Sequence, residues 1–123
     1  MRYIVLLTSA PMPTPAPPAL MEGIFSLGAE ATRAGVLLDP AGLAPSAAGA
    51  RVAVTASGLS VTDGPFAESK EMISYAVYDV ASKEEALEWT TRFMRLHQDL
   101  WEGWHGEATV LRTLGPEDFA PPE

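Results

Sequence analysis

The chain contains no cysteine. Disulfides, thiolate metal sites and a cysteine nucleophile are therefore excluded. A cytoplasmic setting fits this composition. Basic residues are also few: 8 Lys and Arg stand against 16 Asp and Glu, a net charge of -8. They are scattered from Arg2 to Arg112 and form no cluster. A duplex-binding protein shows a basic patch, so no nucleic-acid partner is expected. No apolar run reaches the length of about 20 residues that a membrane helix needs, so no membrane partner is expected either. Glycine-rich phosphate loops, serine elbows and paired-histidine zinc helices are missing. Histidine occurs only at His97 and His105. With Asp99, Glu102 or Glu107 they match no familiar ligand spacing, so neither metal nor cofactor is expected.

What is present is apolar periodicity. Tyr3 to Leu7 is a continuous apolar run rich in β-branched and aromatic residues, and reads as a central strand rather than a leader peptide. Five prolines then fall between Pro11 and Pro18. Lacking backbone donors, this stretch is predicted to be an extended connector, with Pro18 suited to the first turn of a helix. Leu20, Ile24, Leu27 and Ala31 recur at helical spacing over Ala19 to Ala34, and Gly35 is a natural stop. Gly23 and Gly28 either weaken this helix or let it approach a neighbour closely. A short extended piece is expected at Val36 to Leu38, and a loop from Asp39 to Gly49.

Val52 and Val54, then Leu59 and Val61, alternate about Ser57-Gly58, which has hairpin-turn chemistry. Met72 to Val80 alternates on both faces and reads as another central strand. Ser82 with Glu85 forms a capping box for a helix whose inner stripe is Ala86, Leu87, Thr90, Phe93, Met94 and His97. A tryptophan-bearing loop leads to a last strand over Glu107 to Leu114. Residues 1–114 make one domain, and residues 115–123 a flexible tail. The order strand, helix, hairpin, strand, helix, strand predicts an α+β sandwich of ferredoxin-like topology with an extra hairpin, its two helices on one face of a mainly antiparallel sheet. The other face keeps apolar side chains, which a second copy would cover.

One stretch is more specific. D-G-P-F-A-E-S-K (Asp63 to Lys70) precedes a tyrosine-bearing strand and then S-K-E-E-A-L-E-W (Ser82 to Trp89). Together with Y-I-V-L-L near the N-terminus, A-G-V-L at Ala34 to Leu37 and W-H-G-E-A-T-V-L-R at Trp104 to Arg112, it resembles the YCII-related family in its DGPF subgroup. The resemblance implies a dimeric α+β barrel, with small ligands held between sheet and helices. It implies no fixed reaction; a stress-type accessory role and small cofactor-free isomerase chemistry both occur in that setting. A His-Asp dyad has been associated with such proteins, but this chain has no histidine before residue 97.

The residues allow two functional readings. In the first the protein is a homodimeric small-molecule-binding or accessory protein. Phe66, Lys70, Tyr75 and Trp104 are then candidate ligand contacts for a small aromatic or lactone-type molecule. In the second it is an isomerase- or lyase-like enzyme, with Asp63, Glu68 or His105 moving a proton. Structural roles compete at each position. Asp63 suits an Asx turn, Gly64 a restricted backbone conformation, and Phe66 an anchor. Glu68 and Lys70 would share a face of an extended strand and pair. His97 falls near a helix C-terminus, where positive charge is favourable.

Overall fold

The N-terminal apolar run becomes β1 (Arg2–Ser9), an inner strand of the sheet, in a computed structural model that describes residues 1–119. It is followed by α1 (Pro18–Arg33), β2 (Leu37–Gly42), the hairpin strands β3 (Ala50–Thr55) and β4 (Gly58–Asp63), β5 (Glu71–Asp79), α2 (Lys83–Leu100) and β6 (Gly106–Arg112). The main sheet runs β2-β5-β1-β6, with every pairing antiparallel. This is the expected ferredoxin-like α+β arrangement, with β3 and β4 as a separate two-stranded ribbon. No helix among the described residues is long and apolar enough to cross a membrane.

Alternation along β1 sorts the two faces. Tyr3, Val5, Leu7 and Ser9 are buried beneath the helices, while Ile4, Leu6 and Thr8 are only half-buried. Tyr3, Val5, Tyr78, Val80 and Ala86 form the core, with Leu37, Trp89, Ala108 and Val110 packed around it. On the opposite face Ile4 sits between Val77 and Leu111.

Helix α1 starts as its prolines predict, with Pro17 in the extended region at the N-cap and Pro18 at the first position. It ends at Gly35, whose φ of 76° few other residues tolerate. Its glycines differ in purpose. A Cβ on Gly23 would lie 3.0 Å from Leu96 Cδ2 of α2, whereas one on Gly28 would meet nothing closer than Leu37 Cδ2 at 3.9 Å. The two helices are also joined by Arg92, whose guanidinium forks onto Glu30, with Nη2 2.8 Å from Oε1. That cation holds the Glu30 carboxyl below the usual carboxylate range.

Helix α2 is capped by Ser82 Oγ, which accepts the Glu85 N–H at 3.2 Å. The Glu85 carboxylate reaches back to the Ala81 N–H rather than to that of Ser82. Ala86, Thr90 and His97 are buried as the stripe predicts, but Leu87 is 42% exposed and the half-buried Trp89 packs on the core instead.

Two expectations are corrected. Strand β2 runs through Pro40 to Gly42, well into the expected loop. Pro40 is tolerated because β2 is an edge strand, where a missing ladder donor can face outward. The hairpin turn is Ala56-Ser57, since Thr55 pairs with Gly58. Gly58 opens the second strand at a φ of 110°, and no other residue type among those described has positive φ, so the mirror-image turn types are excluded. Pro116–Phe119 forms a short 3-10 helix, with the Gly115 N–H donating to Asp118 Oδ2 at 2.8 Å and Arg112 3.7 Å from Asp118. Residues 120–123 lie outside the described residues.

Candidate functional site

Asp63 to Lys70 is fixed by backbone packing and side-chain partners drawn from elsewhere in the chain. Gly64 does not need positive φ; it needs to be small. A Cβ there would lie 1.6 Å from the Ser46 carbonyl oxygen. The Gly64 N–H donates to the Gly49 carbonyl at 2.9 Å, and the Gly64-Pro65 bond is cis. Ser46 is the hub: its hydroxyl donates to Glu71 Oε1 at 2.6 Å and accepts the Phe66 N–H at 3.3 Å. The half-buried Phe66 ring lies under the Arg51 guanidinium, 4.0 Å from its centroid.

Glu68 and Lys70 do not pair with each other, because the chain here is not a continuous strand. Glu68 takes Arg51 at 2.7 Å, and Lys70 takes Glu107 of β6 at 3.1 Å. Both pairs are exposed, and each contributes about 0–1 kcal/mol. The Asp63 carboxylate is exposed and has no hydrogen-bond or ion-pair partner among the described residues, so the Asx turn does not form.

The enclosed space lies elsewhere. A cavity of about 880 Å³ opens between the sheet and the helices, bordered by Val5 and Tyr78 of the core. Its floor is the Val5, Leu7, Ser9 side of β1 with Ala76 of β5, and its wall is Leu20, Ile24 and Gly28 of α1. The proline segment closes one side with Pro11 and Met12, and the end of β2 closes another with Pro40 to Gly42. The stiff connector is thus also part of the cavity wall, a role its composition alone did not indicate.

The lining is mainly apolar, and its buried polar side chains are Ser9, Thr90 and His97. Their origin is parity: Ser9 continues the inward face of β1, and Thr90 and His97 share the inner stripe of α2. His97 is 4% exposed. Its ring meets Phe93 edge-on at 4.7 Å and lies 4.6 Å from that of Trp104. Nδ1 is 2.9 Å from the Phe93 carbonyl. Burial pushes its pKa below the ordinary value of 6.5, against a smaller opposing effect of that hydrogen bond. His97 is therefore a buried neutral imidazole on the inner stripe, as its spacing predicts, and not the cation that its place near the C-terminus of α2 would favour. Trp104 is itself held in by Gly106, where a Cβ would lie 2.4 Å from the indole.

The candidate residues are dispersed. Tyr75 and Trp104 border the cavity; Asp63, Phe66, Glu68, Lys70 and His105 do not. The Tyr75 hydroxyl donates to the Asp39 carboxylate at 3.2 Å, whose negative charge raises the phenol pKa. His105 is exposed and borders a second groove of about 560 Å³ between the end of α2 and the loop to β6. Among the described residues no group of acidic or histidine side chains is placed to hold a metal ion. No family model matches the chain, and no curated protein resembles it in sequence.

Proposed function

We propose that this chain is a small-molecule-binding protein of the YCII-related, DGPF type, acting as a cytoplasmic homodimer that holds its ligand between sheet and helices. The observation that carries this reading is the cavity: about 880 Å³, mainly apolar, with a few inward polar groups, the usual make-up of a ligand site. The dimer is supported by the second sheet face, where Ile4, Leu6 and Val77 are half-buried and Leu111 is 52% exposed. An isomerase- or lyase-like enzyme using Asp63, Glu68 or His105 would need at least two of them at one pocket. Asp63, at the end of β4, has no partner among the described residues, Glu68 is paired with Arg51, and His105 borders the other groove. The geometry therefore favours binding over catalysis by these residues.

The test is titration with a neutral fluorescent dye, N-phenyl-naphthylamine. Saturable binding of one dye per chain is expected. Gly28→Phe, which projects a ring from α1 into the cavity, should weaken it about tenfold, equivalent to about 1.4 kcal/mol. Absence of saturable binding, or binding that ignores Gly28→Phe, defeats the reading.

A further inference from the structure

The buried polar side chains of the cavity share a feature that bears on what it can hold. Each donates its one proton to a backbone carbonyl. Ser9 Oγ donates to the Ala10 oxygen at 3.0 Å, Thr90 Oγ1 to the Ala86 oxygen at 2.8 Å, and His97 Nδ1–H to the Phe93 oxygen at 2.9 Å. A carbonyl only accepts, so the proton of the neutral imidazole sits on Nδ1 and Nε2 carries a bare lone pair. Among the described residues Nε2 has no hydrogen-bond partner, yet no buried side-chain nitrogen or oxygen is left sealed without one. Nε2 therefore keeps an open side, and the space that His97 borders is the cavity.

Of the remaining polar groups, the indole N–H groups of Trp101 and Trp104 can only donate, and a ligand hydroxyl can also accept. Tyr78 and Ser74 also border the cavity; their hydroxyls have no partner among the described residues and can take either role. Among the described residues no Lys or Arg lines the space, and the one carboxylate that does, Glu71, accepts the Ser46 hydroxyl. An anion would enter without a countercharge, at a steep desolvation cost.

We propose that the cavity takes an uncharged, largely aromatic molecule carrying an O–H or N–H group, and that His97 Nε2 receives that proton in a hydrogen bond while Trp104 flanks the ring. This rests on the cavity being a ligand site, as proposed above. It adds the polarity of the ligand: donor-bearing molecules are retained, and isosteres lacking the donor, or bearing a carboxylate, are rejected. An unpaired buried acceptor penalises the isostere, which is how such sites discriminate.

The experiment compares naphthol, its methyl ether and naphthoate by calorimetry on the full chain and on His97→Phe, which keeps an aromatic ring between Phe93 and Trp104. Wild type should bind naphthol about three- to tenfold tighter than the ether, and should not bind naphthoate. His97→Phe should bind naphthol and the ether alike. Should His97→Phe fail to fold, nitrogen NMR of wild type decides. The His97 Nε2 resonance should sit at the unprotonated position and move on addition of naphthol but not of the ether. Equal binding of naphthol and ether by wild type, tight binding of naphthoate, or an Nε2 resonance indifferent to naphthol overturns the inference while the cavity reading stands. If the dye and the naphthalenes all fail to bind, both fall together.

Discussion

Gly64 and Ser46 meet backbone to backbone, so closely that any Cβ on residue 64 would lie 1.6 Å from the Ser46 carbonyl oxygen and 2.5 Å from its carbon. No rotamer relieves that overlap, because neither group is a flexible side chain. Gly64→Ala should therefore destabilise the protein by about 3 kcal/mol, the upper end of overpacking costs. Asp63→Asn, one residue earlier, should stay within about 0.5 kcal/mol of wild type, as expected for an exposed side chain without partners. Urea midpoints of the two variants check this. Equal effects would mean that the turn, and not the close approach, is what the glycine serves.

Ser46→Ala removes the hub of the same region. It leaves the Phe66 N–H and the Glu71 carboxylate without the hydroxyl that joins them. The loss should be about 1–2 kcal/mol, the penalty for part-buried groups left unpaired. Proteolysis should then cut first between Asp63 and Lys70, ahead of any site in β1 or α2. Cleavage rates compared with wild type at the same temperature provide the readout.

How far the sequence reveals this molecule depends on the range of each contact. The inward face of α1 and, apart from Leu87, that of α2 follow from local periodicity, and so do the Pro18 start, the Gly35 stop and the Ser82 cap; the continuous apolar run of β1 did not say which of its faces meets the helices. Partners of Glu68 and Lys70 were not legible, because Arg51 and Glu107 come from other strands and override the local spacing. Nor was the reason for Gly64, which concerns a carbonyl earlier in the chain. The polar cavity groups were half legible. Thr90 and His97 fall on the inner stripe of α2, but only the stand-off between α1 and the sheet turns that stripe into a cavity wall. Pro40 was misleading for the opposite reason, since its residue type argues against a strand and only the edge position of β2 permits one.

The pH dependence of stability should carry the signature of His97. Burial lowers its folded-state pKa below 6.5, so the unfolded chain takes up a proton at higher pH than the folded chain does. The stability contributed by the neutral imidazole is complete above pH 6.5 and is lost as pH falls from there through the lower folded value. Urea midpoints measured between about pH 5 and 8 should decline toward acid in wild type. His97→Phe should flatten that part of the decline. A parallel curve for the variant would place the linkage on other groups.

The two glycines of α1 should respond differently to alanine. At Gly28 the added methyl finds ordinary contact with Leu37 at 3.9 Å, so the gain in helix propensity, about 0.8–1 kcal/mol, should be realised in full. At Gly23 the methyl meets Leu96 at 3.0 Å, where α1 and α2 approach each other, and repacking should cancel the gain or reverse it. Thermal melts of Gly23→Ala, Gly28→Ala and the double variant test this. A stabilising Gly23→Ala would show that Leu96 has room to turn aside.

The proposed dimer makes the last prediction. Leu111 pairs with Ile4 on the sheet face away from the helices and is 52% exposed in the single chain. If a second copy covers that face, Leu111→Asp places a carboxylate in an apolar contact, where it must be desolvated without a partner. Sedimentation should then show one chain mass where wild type shows two, while the core, which Leu111 does not enter, keeps its circular dichroism spectrum. The ribbon of β3 and β4 is the rival surface. Its Val52, Val54, Leu59 and Val61 are 68–80% exposed, and a two-stranded ribbon with so bare an apolar stripe is marginal in water. Val54→Ser with Leu59→Ser should leave the two-chain mass intact. If these ribbon changes dissociate the protein and Leu111→Asp does not, the copies meet through the arm rather than through the sheet.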